Sequence, residues 1–429
     1  MRRIRRSPAR AERATYLYAC ALVTVLLLFL PYGGYERMME GKYACFLALT
    51  LGYLAALCAV APIEKPRMTA SMWCAAAYLA FSALSALCSP YGAATLLGGT
   101  RREGLLTLAL YVAMFCFLAR YLRAGRRLLY LAALSVALCD LLAVVQLTGR
   151  NPLGLYPAGL DYFDGDRVYA GFYAGTSGNI DFTAFLLALA ACVFALALAR
   201  LRLWALAPAL ALTLFVLFRL GVSGAWAGLA FAAVWGLALC FPKRRKTMLL
   251  LSAFLSAAAL VFVRLYRGAN QTLTEASRLL RGEFDGAFGS GRLAIWRDCL
   301  YLARERPLLG GGPDTLWLRG LEPFSWYRGG GATPVDITAA HNEYLNILVN
   351  QGALALAAYL ALLGIALVRC FRRAEEPRFA LCGAGLLCYA AMAAFSVSTC
   401  ITAPYVWLLL ALAQKEKTQL KNGEEYPII

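Results

Sequence analysis

Residues 291–316, GRLAIWRDCLYLARERPLLGGGPDTL, and residues 341–363, HNEYLNILVNQGALALAAYLALL, decide how this chain is organised. The first segment is polar and ends in glycines, whereas the second becomes continuously apolar within a few residues. Their boundary holds His341, the only histidine in the chain. This pattern is typical of an external loop that leads into a membrane-spanning helix, so we expect the rest of the chain to alternate between spans and loops.

The composition agrees with a membrane protein. Hydrophobic residues make up 61% of the chain and charged residues 15%, against about 45–50% and 25% in soluble domains. The predicted fold is an all-α integral membrane protein with about 12 transmembrane helices, forming a single polytopic domain over residues 1–429. The twelve predicted spans lie near residues 14–30, 43–61, 68–88, 104–119, 128–148, 180–199, 203–220, 222–241, 247–265, 343–368, 379–398 and 401–413.

The basic residues predict the topology. The net charge of +18 comes from short Lys and Arg clusters between apolar segments, for example at residues 120–127 and 243–246. Such clusters favour the cytoplasmic side, which places both termini inside the cell and the long loop 266–342 outside. Because the clusters alternate with spans and do not form one continuous basic face, we expect no nucleic-acid binding.

The long loop is predicted to contain short interfacial helices. TLTEASRLLRG (residues 272–282) and GRLAIWRDCLYLARERP (residues 291–307) have helical periodicity. In the second, Leu293, Trp296, Leu300 and Ala303 fall on one face, which is typical of a helix lying in the membrane interface. The roughly 25 residues after Pro313 are expected to be irregular because glycines and prolines end the helical pattern.

His341 and Asn342 are the polar residues at the mouth of an apolar segment. A neutral imidazole accepts a proton from a hydroxyl at neutral pH, so His341 is a candidate general base. The neighbouring Asn342 is a candidate substrate-binding residue. The alternative is structural, since polar residues at a helix start often serve as caps or interface anchors.

Five arginines of the outer segments form a second set of candidates, namely Arg101, Arg102, Arg219, Arg292 and Arg297. A guanidinium binds phosphate oxygens with two parallel hydrogen bonds, so several arginines around one pocket would bind a lipid diphosphate. The alternative is that arginines at span ends extend to lipid headgroups, and this alternative is strongest for Arg219.

Other classes of site are not expected. The fourteen cysteines include no CxxC pair and no Cys/His cluster, so the sequence predicts no metal site, and no cofactor is predicted. No GxxxxGK[ST] loop for ATP is present. Ionisable residues inside the spans are nearly absent, with Asp140 and Asp181 near span ends, which disfavours a secondary transporter.

Five motifs resemble the O-antigen ligase/polymerase family of polytopic bacterial membrane proteins. They are RREGLL at 101–106, GTSGNIDFTAF at 175–185, GRLAIW at 291–296, RPLLGGGPDTL at 306–316 and HNEYLNILVNQGALAL at 341–356. Together they extend the resemblance from about residue 89 to residue 370. The last two, in this order and about 25 residues apart, are the most specific.

The resemblance implies inverting, metal-independent glycosyl transfer on the outer face of the bacterial cytoplasmic membrane. The donor would be a glycan on undecaprenyl diphosphate, and the acceptor another glycan or lipid-linked glycan. His341 matches the family's catalytic histidine, and Arg292 matches an outer-loop arginine that contacts the diphosphate. Relatives also carry an arginine where this chain has Ser223 in VSGAW, and Arg219, one helical turn earlier, is a candidate to replace it.

Three alternatives stay open at this point. A repeat-unit polymerase of the same family has the same motifs. A non-catalytic exporter or flippase of lipid-linked glycans, or a scaffold subunit of an envelope-polymer assembly, would not need His341. The sequence does not name the sugar or the acceptor.

Overall fold

A computed structural model describes residues 6–64, 68–156, 175–321, 324–328, 331–335 and 337–414. Most of the second outer segment, residues 157–174, lies outside the described residues, as do the inner-loop residues 65–67. Within the described part the chain is almost entirely helical. The helices are α1 Pro8–Ala21, α2 Met38–Val60, α3 Ala70–Leu87, α4 Ala94–Leu97, α5 Leu105–Tyr121, α6 Arg126–Leu147, α7 Ile180–Leu201, α8 Ala207–Leu220, α9 Ser223–Cys240, α10 Arg245–Leu265, α11 Gln271–Leu280, α12 Arg292–Glu305, α13 Glu343–Arg372, α14 Pro377–Met392 and α15 Ala403–Leu412.

Every predicted span contains a helix, which supports the predicted class of helical multi-pass membrane protein. Among the described residues, seven helices are long and apolar enough to cross a membrane by length and composition. They are Gly34–Val60, Ala70–Leu87, Arg126–Leu147, Ile180–Leu201, Ser223–Cys240, Pro242–Leu265 and Glu343–Arg372. The apolar helices α5, α8, α14 and α15 are shorter, so twelve crossings stay a prediction.

The long loop differs from the prediction in two places. The segment expected to be irregular contains two antiparallel strands, β1 Phe324–Arg328 and β2 Gly331–Val335. An aromatic run followed by three glycines is a hairpin signal that the sequence reasoning overlooked. Helix α12 forms as predicted, but it buries Ile295 and Cys299 while Leu300 is 48% exposed. The apolar side chains of α12 are distributed around most of the helix axis, so their periodicity alone did not identify the face that packs.

The bundle is built around its C-terminal helices. α14 packs against α7, α9 and α13, and α13 also packs against α3 and α12. The contact between α12 and the start of α13 has a small apolar core of its own, formed by Ile295, Cys299, Leu316, Ala340, Leu345 and Val349. This arrangement attaches the external helix α12 directly to the segment that carries His341.

Helix α13 is interrupted at Gly352, whose φ of 86° lies in the left-handed region. A Cβ there would collide with the backbone of the outer loop. The loop replaces the helical hydrogen bonds that the break removes: Gly312 N donates to Asn350 O (2.7 Å), and Ala353 N donates to Pro307 O (2.9 Å). The RPLLGGGPDTL motif is therefore held by backbone hydrogen bonds against the interrupted helix that the HNEYLNILVNQG motif begins.

Candidate functional site

A cavity of about 220 Å³ lies at the end of the bundle where α7, α9 and α12 begin. Asp181 lines it from the start of α7, Ser223 from the start of α9, and Arg292 from the start of α12. The loop between α14 and α15 closes another side with Phe395 and Ser396. Three helices begin at this cavity, and helix N-termini favour anions.

The turn before α12 determines where Arg292 lies. Gly289, Ser290 and Gly291 all have positive φ, at 61°, 58° and 83°. Only glycine adopts such angles readily, and Ser290, which also lines the cavity, is the strained exception. Glu275 of α11 accepts a hydrogen bond from Gly289 N (2.8 Å) and anchors this turn. Arg292 is half-buried against the cavity.

His341 also has a left-handed backbone, with φ of 49°. The residue before it is held on both sides: Trp296 Nε1 donates to Ala340 O (2.9 Å), and Ala340 N donates to Asn346 Oδ1 (3.3 Å). These bonds connect the His341 segment to α12 on one side and to α13 on the other. The position of the imidazole is therefore set by two helices.

The electrostatic surroundings keep His341 neutral. Burial, followed by the positive charges of Arg101 and Arg292, lowers the pKa of His341 from 6.5 to about 3. A neutral imidazole has a nitrogen that can accept a proton, as a general base requires. The two arginines also make it a weak base until an anion compensates their charge.

The structure brings Arg101 to this site on the loop between α4 and α5. Arg101 Nε donates to Thr338 Oγ1 (3.3 Å), three residues before His341. Asp314 holds the loop, since its Oδ2 accepts from Gly99 N (2.7 Å) and Glu103 N (3.2 Å). Burial raises the pKa of Asp314, whereas those backbone donors lower it.

The other three predicted binding residues lie differently. Arg102 has its charge beside the Asp314 carboxyl and does not affect the His341 imidazole. Asn342 caps α13, with Oδ1 accepting from Leu345 N (3.1 Å), so only its amide nitrogen is left to face a ligand. Arg219 is exposed on the last turn of α8 and does not line the cavity.

Sequence reasoning passed over Asp181. Its carboxyl lines the cavity and lies within electrostatic range of Arg292 and Arg101. The available signal was its position: Asn179 caps α7 by accepting from Asp181 N (2.8 Å), which puts Asp181 at the first turn of a predicted span. In the sequence, its place near a span end argued only against a secondary transporter.

A second, smaller cavity of about 20 Å³ lies on the other side of the same segments. Its polar lining consists of Glu103, Glu343, Ser398 and the tyrosines Tyr78, Tyr111, Tyr359 and Tyr389. Glu103 Oε1 accepts from the Tyr111 hydroxyl (2.7 Å), and Glu343 Oε2 accepts from Ser398 N (2.7 Å). Burial raises the pKa of Glu103 well above 4.5. The volume suits a single water molecule.

Among the described residues, no group of three or more His, Cys, Asp and Glu side chains is placed to hold a metal ion. Arg292 and Asp181 line the larger cavity, and His341 lies within electrostatic range of Arg292 and Arg101. Together these side chains can bind an anion and accept a proton next to it.

Comparison with known proteins gives one match. The family model described as O-Antigen ligase matches residues 208–360. The matched part runs from α8 into α13 and includes Arg219, Arg292 and His341, whereas Arg101 lies outside it. A search of curated proteins finds no match to the chain.

Proposed function

Because the family model described as O-Antigen ligase matches residues 208–360, we propose that this protein transfers a glycan from undecaprenyl diphosphate to an acceptor hydroxyl. The reaction takes place at the outer face of the bacterial cytoplasmic membrane. The observation that carries the proposal is that His341 lies within electrostatic range of Arg101 and Arg292, and that Arg292 lines the larger cavity.

The reaction is a single displacement. The acceptor hydroxyl attacks the anomeric carbon of the donor glycan while His341 takes the hydroxyl proton. The bond between that carbon and the diphosphate oxygen breaks, and the electron pair leaves with undecaprenyl diphosphate. Arg292 stabilises the negative charge that develops on the leaving group. Because attack and departure occur on opposite faces of the sugar, the product is inverted at the anomeric carbon.

Donor binding also prepares the base. Burial is the largest cause of the low pKa of His341, and the charges of Arg101 and Arg292 lower that pKa further. A diphosphate between the arginines compensates those charges, so the pKa of His341 rises and the imidazole becomes a better proton acceptor. The histidine thus gains basicity when the leaving group is in place.

Arg101 fits the second diphosphate-binding role better than Arg219. Ser223 stands where relatives have an arginine, and its hydroxyl lies 3.2 Å from Thr272 Oγ1. Arg219 is exposed and does not line the cavity. Arg101, in contrast, acts electrostatically on both His341 and Asp181. The missing charge is therefore supplied from the loop before α5.

The test uses purified protein in proteoliposomes with a synthetic undecaprenyl-diphosphate-linked oligosaccharide. The donor is supplied alone, so that a second donor molecule is the acceptor, and then with extracted envelope glycolipids. We expect His341→Ala and His341→Gln to lower product formation at least about 100-fold, because the general base is lost. Arg219→Ala is the matched control and stays within about twofold, since exposed residues away from the site contribute little.

The products distinguish the alternatives. Transfer of one glycan to the envelope glycolipid indicates a ligase, whereas a ladder of repeats from donor alone indicates a polymerase. If folded His341→Ala protein retains wild-type transfer, the general-base assignment is wrong. Donor translocation without any glycosidic product would instead identify an exporter.

A further inference from the structure

We propose that Trp296 is a positioning residue that fixes His341 relative to Arg292 through its indole N–H. This inference rests on the proposed function, because it concerns the geometry between the base and the diphosphate-binding arginine. Trp296 itself does not line the larger cavity. Its effect on the reaction is transmitted through the backbone of Ala340.

The backbone next to His341 requires such support. A non-glycine residue at φ of 49° is strained and persists only when its surroundings hold it. Ala340 is fully buried, and both of its backbone polar groups are bonded, to Trp296 and to Asn346. Loss of either bond leaves a buried polar group without its partner and releases the constraint on His341.

The same helix carries the arginine. Trp296 follows Arg292 by four residues on α12, which places the two side chains on one face about 6 Å apart along the helix axis. α12 is packed onto the first turns of α13 by the apolar core around Ile295 and Cys299. Arg292 and the carrier of His341 therefore move as one body, and the indole is the hydrogen-bonded link between them.

The indole ring also contacts a third wall of the site. Its centroid lies 6.4 Å from that of Phe395, which lines the larger cavity. The loop holding Phe395 is tied to the His341 segment by Glu343, whose N donates to Ala393 O (2.7 Å) and whose Oε2 accepts from Ser398 N (2.7 Å). Trp296 thus joins three elements of the site: α12, the segment before α13 and the loop between α14 and α15.

An interfacial tryptophan is the alternative, since this residue type is enriched at membrane–water boundaries. In that role the indole N–H faces water or headgroups. Here it faces a buried backbone carbonyl, and the side chain is half-buried. The hydrogen bond, rather than the ring alone, is therefore the feature that the experiment removes.

The experiment compares Trp296→Phe with Trp317→Phe in the proteoliposome assay with the synthetic donor. Trp317 also donates its indole N–H to a backbone carbonyl, that of Asp314 (3.1 Å), and is 43% exposed. We expect Trp296→Phe to lower kcat about 10- to 100-fold with KM for the donor within about twofold, because Arg292 stays in place while the base is misplaced. Trp317→Phe keeps kcat within about twofold of wild type.

Asn346→Ala, which removes the other anchor of Ala340, is the second variant and shows the same fall in kcat at unchanged KM. Wild-type kcat in folded Trp296→Phe overturns the proposal. A parallel loss of kcat, donor affinity and melting temperature in both variants also overturns it, because that result describes a structural residue. If His341→Ala is itself active, the proposed function fails first; if only Trp296→Phe is active, the positioning role alone fails.

Discussion

The two cavities beside the start of α13 differ in size and in charge. The larger, about 220 Å³, contains Arg292 and the starts of three helices, whereas the smaller, about 20 Å³, contains two carboxyl groups and four tyrosines. The same two segments serve both regions. His341 lies within electrostatic range of Arg101 and of Arg292, which lines the larger cavity, whereas Glu103 and Glu343, each two residues further on, line the smaller cavity.

This difference suggests different roles: the smaller cavity holds loops in place, and the larger cavity has space for a ligand. The carboxyl groups of the smaller cavity are engaged by Tyr111 and by Ser398 N, and the space left is about one water molecule. The cationic groups of the larger cavity have room for a ligand. Neighbouring residues are thus divided between the two regions: the carboxyl groups are bonded within the protein, and Arg292 lines the space that is left for a ligand.

Removal of Arg292 gives the largest expected effect. Arg292→Ala lowers kcat/KM about 10²- to 10³-fold, because the leaving group loses a preorganised cationic partner. Arg292→Lys recovers part of the activity, since an ammonium retains the charge but not the paired hydrogen bonds. Arg101→Ala has an intermediate effect and Arg219→Ala almost none, measured as glycan transfer in proteoliposomes. A larger loss for Arg219→Ala than for Arg101→Ala would reverse the assignment of the second arginine.

Changes at Glu103 affect stability rather than transfer. Because burial raises the pKa of Glu103, its contribution to stability is greatest at low pH and is lost as pH rises from about 4.5 through the folded-state pKa. Glu103→Gln, a neutral isostere, should therefore have a melting temperature that depends less on pH than that of wild type.

Glu103→Ala is the contrasting variant, because it leaves the Tyr111 hydroxyl without its acceptor and costs about 1–3 kcal/mol. Thermal unfolding in detergent from pH 5 to pH 8 measures both variants. A steeper pH dependence in Glu103→Gln than in wild type would contradict the description of the smaller cavity.

The smallest expected effect is a difference between the pH dependence of kcat/KM and that of kcat. His341 must be neutral to act as a base, and its pKa of about 3 keeps it neutral in the free protein. The acid limb of kcat/KM, which reports the free protein, is therefore expected below pH 5. Bound diphosphate compensates Arg101 and Arg292 and raises the pKa, so the acid limb of kcat lies at higher pH. An acid limb of kcat/KM near pH 6.5 would show that the imidazole is hydrated.

Local patterns predicted much of this arrangement. The apolar segments located each long helix, the helical periodicity of residues 291–307 predicted α12, and His341 stood out as a lone histidine at the start of a predicted span. The sequence could not decide whether Arg101 or Arg219 is the second arginine of the site, because that depends on how loops from distant parts of the chain meet. Asp181 was missed for the same reason, and the packed face of α12 depended on α13.

The break at Gly352 has a consequence for how this protein tolerates change. Residues 307–312 are bonded to the broken helix, and Ala340 is bonded to Trp296 and Asn346, so the intervening chain is fastened at both ends. Between Asp314 and Thr338, which both hold the loop of Arg101, an insertion is therefore expected to leave the spacing between His341 and Arg292 unchanged.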